Sequence, residues 1–328
     1  SYFLKNQGDI FSQTVNQSVT WTSFTMALTE HEINDSYVFH EYHQKRFHPQ
    51  FFLWPLKSGY GQKTLDQYIY KSKHYKSLFQ APLMLGNRLL YGQVPTIPVE
   101  NAAPANEPFD ARHERIQHVL HIHVLDICTG LKLDWNSIQQ VLEYGGGTGD
   151  NIPLFRQMGY RGIYYIYDLE PVLLMQQYFL RYSGWPVSLA PQDTNIHRNI
   201  LIPADQTELF RKQFNNTNEI LKYTIFYSSY ALTESNMYSR QLIMSLINNP
   251  GIYFIIGAHK YEHVNNKNYL WNFAKKLNEY KTCVWRADGI HSNTVILLAI
   301  RNDLEIPIYC LESMGCTSHT KIVGTCVV

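Results

Sequence analysis

No run of about 18 apolar residues occurs in the chain, so no membrane-spanning helix is expected. A surplus of one charge is missing too. The 28 basic and 27 acidic residues leave a net charge of +1, which excludes the basic excess that nucleic acids or acidic membrane surfaces demand. Cysteine is sparse: Cys128, Cys283, Cys310, Cys316 and Cys326 lie scattered without a framework. That favours reduced thiols and a cytoplasmic setting. Ser1 to Asn6 lacks a charged start followed by an apolar stretch, so no secretion signal is expected. Internal repeats and low-complexity tracts are absent.

What remains is a globular composition. The 328 residues are 45% hydrophobic and 17% charged, enough to build a core and too apolar for a disordered chain. The length admits one large or two modest domains. Pro82, Pro95, Pro98, Pro104 and Pro108, with Gly86 and Gly92, mark an irregular link between Gln80 and Asp110. Residues 1–110 are therefore read as a mainly helical N-terminal cap, 111–305 as the principal domain and 306–328 as a tail. The 24 tyrosines suit a site for planar polar ligands, and a compositional habit explains them equally well.

After the link, strand and helix signals alternate. Ala111 to Thr129 has apolar residues at helical spacing and stops at Gly130. Val141 to Glu143 is a short strand, and Asp150 is placed to cap a helix through Met158 that Gly159 closes. Ile163 to Tyr167 is a buried strand. Pro171 opens a helix that runs to Tyr182 and stops at Gly184. Strands follow at Pro186–Leu189, Tyr223–Tyr227 and Ile252–Ile256, and helices at Gln206–Phe214, Ser235–Asn248 and Asn268–Tyr280. Thr282–Arg286 and Thr294–Ile300 close as a hairpin. Such alternation predicts a Rossmann-like, doubly wound, mostly parallel sheet of seven strands with one antiparallel strand in the C-terminal hairpin.

The sharpest motif is "VLEYGGGTGD", Val141 to Asp150. Glycines after a strand let the backbone approach a ligand, and in this architecture ligands sit at the carboxyl ends of the strands. Asp168 lies nineteen residues beyond Gly149 and closes the next strand, where an acid commonly grips a ribose. A nucleoside-containing cofactor follows. A dinucleotide fingerprint needs glycine where Asp150 stands. Glu143 and Asp150 would repel a pyrophosphate, whereas they suit an ammonium and a sulfonium. That combination is S-adenosyl-L-methionine.

The stretch E-x-G-G-G-T-G-D resembles motif I of the class I SAM-dependent methyltransferases, over residues 111–301. The resemblance implies that Glu143, Tyr144, Gly145, Gly147, Gly149, Asp168 and Leu169 surround the cofactor. It also implies that Gln192 and Asp193 meet adenine, and that Ser228 and Ser229, within Tyr227–Ala231, flank the methionine moiety and the acceptor. More narrowly, "YYIYDLEPVLLMQQYFL" and "YSSYALTESNMYSRQ" resemble segments of a family of sugar O-methyltransferases. Tyr144, Thr148 and Ala231 to Thr233 depart from that family's pattern.

The expected function is methyl transfer to a hydroxyl of a sugar-like small molecule, without an obligatory metal. His259, after the fifth strand, is the candidate general base, Glu234 its partner, and His291 in the hairpin the alternative. Competing readings are a methyltransferase of an amine, carboxyl or peptide acceptor, a non-catalytic SAM-binding protein, and a nicotinamide oxidoreductase. A homodimer is compatible with all of them.

Other clusters point less far. Ser58 to Thr64 lacks a P-loop frame. His113, His118, His121 and His123 read as a solvated or hydrogen-bonded helix face rather than a metal site. Cys310, Cys316, His319 and Cys326 are spaced too widely for a zinc knuckle. The aromatic segment with Tyr37, His40, Tyr42, His43 and His48 either lines the acceptor pocket or packs within the cap.

Overall fold

The computed structural model describes residues 133–308, except 148, 183, 191–197, 215–217 and 287–293. It also describes 118, 121, 122, 124–126, 128, 129 and the pairs 97–98 and 110–111. Apart from the antiparallel ladder of Ile97–Pro98 with Asp110–Ala111, the expected cap lies outside the described residues, as does the tail beyond 308.

The main domain is one eight-stranded sheet. Its strands are β1 (Gln140–Tyr144), β2 (Ile163–Asp168), β3 (Ser188–Leu189), β4 (Asn199–Pro203), β5 (Thr224–Ser229), β6 (Ile252–Ala258), β7 (Tyr280–Arg286) and β8 (Thr294–Arg301). In space they run β7-β8-β6-β5-β1-β2-β4-β3. β8 is antiparallel to both neighbours, while the ladders from β3 across to β6 are parallel. The Rossmann-like architecture expected from the sequence is present.

Parallel strands covered on both faces read as continuous apolar runs, and those of β5 and β6 are buried along almost their whole length. Alternate side chains feed two cores. Val141, Tyr164, Tyr227 and Phe254 pack on one face with the helical residues Ile122 and Leu125. Leu142, Tyr165, Phe226 and Tyr253 pack on the other with Phe210, Ile243 and Leu270. Many of the tyrosines are thus core residues. Phe155, for instance, sits in edge contact with Tyr160 and Tyr164.

The helices are α1 (Asn151–Gln157), α2 (Glu170–Tyr182), α3 (Thr207–Phe214), α4 (Asn218–Lys222), α5 (Ala231–Glu234), α6 (Met237–Leu246) and α7 (Asn266–Ala274). Gly159 (φ 100°) and Gly184 (φ 79°) end helices in left-handed geometry, as expected.

Several expectations need correction. The strand beside β2 is Asn199–Pro203, which the sequence left unassigned, and Ser188–Leu189 is only a two-residue edge. The sheet therefore has eight strands instead of seven. Asp150 has helical torsions and no side-chain capping bond. Asn236 caps α6 and Asn265 caps α7, each accepting a backbone amide. Of the two described cysteines, Cys128 is free and buried while Cys283 is disulfide-bonded. No helix among the described residues is long and apolar enough to cross a membrane.

Candidate cofactor site

β1 lies at the switch point of the sheet, between β2 and β5, and its carboxyl end opens into the glycine loop. Gly145, Gly147 and Gly149 have φ of 75°, 56° and 81°, torsions that L side chains adopt at a cost. The glycines differ in what lies in front of them. A Cβ on Gly145 would stand 2.0 Å from the Ala231 Cβ, and one on Gly146 would stand 2.6 Å from Ile166. Beyond Gly147 there is open space. Gly145 and Gly146 are glycine because neighbours press on them. Gly147 is left facing open space that a ligand can occupy.

Asp168, at the end of β2, holds this loop. Its Oδ2 accepts the Gly146 amide at 2.9 Å and Gln176 Nε2 at 2.9 Å, and its Oδ1 accepts the Leu169 amide at 2.8 Å. Desolvation pushes the carboxyl up to about 6, against these hydrogen bonds. Each carboxylate oxygen accepts about two bonds, so Oδ1 retains capacity for a ligand hydroxyl. Gln176 Nε2 also donates to the Gly147 carbonyl at 3.0 Å. Both of its partners are acceptors, which fixes the amide orientation. Its buried Oε1 has no hydrogen-bond partner.

Glu143 sits deeper. It is fully buried, and its oxygens accept Asn151 Nδ2 at 2.6 Å and the Tyr164 hydroxyl at 2.9 Å. Burial raises its carboxyl to about 8, helped by the charges of Asp168 and Asp150. Its expected contact with a cofactor would have to be indirect. Glu143 so raised holds a proton at neutral pH, and the acids that bear on ligand class are Asp150 and Asp168, whose carboxylates beside the loop disfavour a pyrophosphate.

Tyr144 stacks on Tyr167, with 6.1 Å between ring centroids, and its hydroxyl meets Ser235 Oγ at 3.0 Å. Ser228 is buried, donating to the Tyr144 carbonyl and accepting the Leu232 amide, so it braces the loop from below. Ser229 is half-buried and lies 3.4 Å from His121 Nδ1. Next comes Tyr230, a non-glycine residue at φ 65°, ψ −39°, strain of the kind that tight surroundings maintain near functional sites. Its hydroxyl meets Thr294 Oγ1 at 3.1 Å.

His259 directly follows β6 at the same edge and is half-buried, with its carbonyl accepting the Asn266 amide at 3.0 Å. Glu234 closes α5 and is half-buried. The cluster of His121, Ser229, Tyr230 and Thr294 gathers three distant parts of the chain. Gln192, Asp193, Thr148 and His291 lie outside the described residues. Since β4 lies next to β2 and is the second strand outward from β1, Asp205 just past its end occupies the topological place that the sequence reading gave to Asp193.

Sequence reasoning missed Gln176 and Asn151; His121, read as part of a solvated or hydrogen-bonded helix face, is fully buried with Nδ1 beside the Tyr227 and Ser229 hydroxyls. An i, i+8 pairing of Asp168 with Gln176 across a helix start was the available signal for the first. Among the described residues, no group of three or more His, Cys, Asp or Glu could hold a metal ion.

The open space at Gly147, the braced carboxylate of Asp168 and the nearby Asp150 fit S-adenosyl-L-methionine: a hydroxyl to accept from, a cation to balance, no phosphate. No protein-family model and no curated protein matches the chain. Among solved structures it is similar to an O-methyltransferase from Bacillus cereus in complex with S-adenosylhomocysteine (SAH). There the identity is 10%, coverage is 74% of this chain and 96% of that one, and the TM-score is 0.39. It is also similar to the methyltransferase domain of bacterial CtHen1, at 13% identity, 55% and 97% coverage and a TM-score of 0.39. A third is spermidine synthase with the transition-state analogue AdoDATO, at 13% identity, 58% and 61% coverage and a TM-score of 0.37. At these scores the likeness carries no inference about substrate or reaction.

Proposed function

We propose that the protein is a SAM-dependent O-methyltransferase acting on a hydroxyl of a sugar or glycosylated small molecule. The observation that carries the cofactor assignment is the pairing of the open, left-handed Gly147 with the braced carboxylate of Asp168. The cofactor supplies a methyl group on a sulfonium. In the transfer a carbon–oxygen bond forms as the carbon–sulfur bond breaks, SAH leaves, and the acceptor proton must go to a base.

We assign that proton to His259, with Glu234 orienting the imidazole or the acceptor and His291 as the alternative base. Neutral imidazole accepts a proton at working pH, and alignment of the reacting atoms supplies several kcal/mol more, up to roughly 10. Residues 1–110 are assigned to covering the acceptor. The sugar preference rests on the resemblance of Tyr164–Leu180 and Tyr227–Gln241. A cytoplasmic location suits a cofactor made there.

The test is incubation of the full chain with methyl-labelled SAM and a panel of methyl glycosides and nucleotide sugars, read by mass spectrometry. Label on a sugar oxygen is the expected result. Label only on amine or carboxylate acceptors in parallel reactions overturns the sugar assignment.

A further inference from the structure

Arg240, on α6, is fully buried, yet no carboxylate pairs with it among the described residues. Burial of a guanidinium is expensive unless its donors are satisfied, and here neutral acceptors do so. Nε donates to the Ser235 carbonyl at 2.7 Å, NH1 to Asn266 Oδ1 at 2.6 Å, and NH2 to the Thr233 carbonyl at 2.5 Å. The guanidinium also lies over the Tyr269 ring, 4.9 Å from its centroid. Asn266 completes the hub by donating to the Thr233 carbonyl at 3.0 Å and to the Ala258 carbonyl, at the end of β6, at 2.8 Å.

Every backbone group that Arg240 holds belongs to α5 or the residue after it. That segment begins at the strained Tyr230, whose amide donates to the Ile256 carbonyl at 2.7 Å. It touches the glycine loop twice. Ala231 fills the place that a side chain on Gly145 would take, and Ser235 Oγ meets the Tyr144 hydroxyl. On the other side, Thr233 fills the place of a Cβ on Gly257. A four-residue helix has no stability of its own, so tertiary contacts must hold it.

We propose that Arg240 is a positioning residue: it clamps the Tyr230–Ser235 segment against the glycine loop and so sets the shape of the cofactor cradle. The clamp explains why a charge is buried without an acid. A carboxylate would draw the guanidinium into an ion pair, whereas the carbonyls of Thr233 and Ser235 fix the C-terminal end of α5 in place. The effect on ligand affinity rests on the cofactor assignment above; the clamp itself does not.

The experiment uses the full chain, with SAH affinity from calorimetry and backbone amide exchange by mass spectrometry. Arg240→Met is expected to weaken SAH binding about tenfold, the scale of coupling through one packed element, with Arg240→Lys intermediate. Exchange should quicken at Tyr144–Gly147 and Tyr230–Ser235 and stay unchanged in the cores of β6 and β8. A folded Arg240→Met protein with wild-type affinity and exchange overturns the proposal. Quickening spread evenly over β6 and β8 also overturns it, because that marks general loosening. If Arg240→Met does not fold, Arg240→Lys and Tyr144→Phe decide: weaker SAH binding in both supports the clamp, and unchanged binding in both refutes it. Wild-type protein that binds no SAH removes the cofactor assignment alone, and the exchange pattern still tests the clamp.

Discussion

The carboxylate of Asp168 accepts the backbone amide of Gly146 at 2.9 Å, tying the end of β2 to the loop that leaves β1. The same carboxylate is the group offered to a ribose, so loop geometry and ligand affinity share one titration. Its acidity is weakened by burial to about 6, and ligand hydroxyls bond best to the ionised form. SAH affinity is therefore expected to rise through about pH 6 and level off above it. Calorimetric titrations from pH 5 to 8 check this, and a flat profile, or one that falls with pH, would count against the ribose role.

The glycines predict a separation between stability and binding. Gly145→Ala meets both a left-handed φ and the Ala231 Cβ, and should lose roughly 2–4 kcal/mol of stability. Gly147→Ala meets only the torsion, about 1–2 kcal/mol, while its methyl projects into the ligand space. Denaturant unfolding and SAH titration of both variants should place the larger stability loss at Gly145 and a specific affinity loss at Gly147. Equal stability losses, with full affinity at Gly147, would show that the open space is not the cradle.

Glu143 sets a pH dependence of opposite kind. Its folded-state carboxyl is raised to about 8 from an ordinary value of 4.5. Between those values the folded form holds a proton that the unfolded chain releases, so stability falls as pH rises through that window. Glu143→Gln keeps the shape and removes the titration. The slope of unfolding free energy between pH 5 and 8 should therefore flatten in the variant. An unchanged slope would mean that Glu143 is ionised throughout.

For the proposed base, His259→Ala should lower kcat by roughly 10²–10⁴ while SAH affinity stays near wild type. If His259→Ala keeps wild-type kcat and His291→Ala does not, the role moves to the hairpin. Full activity in both variants removes histidine catalysis at these positions.

The parts visible in the sequence were those with a local signature. β1 and β2 show as apolar runs, Gly159 and Gly184 as helix stops, and Asp168 by its offset from the glycines. β4 was hidden because its apolar stretch, Ile200 to Ile202, is only three residues between Asn199 and Pro203. A Rossmann-like pattern supplies the alternation of strands and helices but not which of two short runs fills the third place. Asn236 and Asn265 lie at helix starts, yet the apolar pattern put one start two residues early, at Ser235, and the other two residues late, at Asn268. His121 and Arg240 were illegible for a different reason. Their roles come from partners about one hundred and about twenty-six residues away in sequence, and no spacing rule links such pairs before the sheet is assembled.

The most direct measurement is calorimetric titration of the full chain with SAH, alongside NAD and the Asp168→Ala variant. One saturable SAH site is expected, with no NAD binding and a loss of roughly 1.5–3 kcal/mol on Asp168→Ala. Saturable binding of NAD with none of SAH, or SAH binding that Asp168→Ala leaves untouched, would contradict the cofactor assignment on which the proposed function stands.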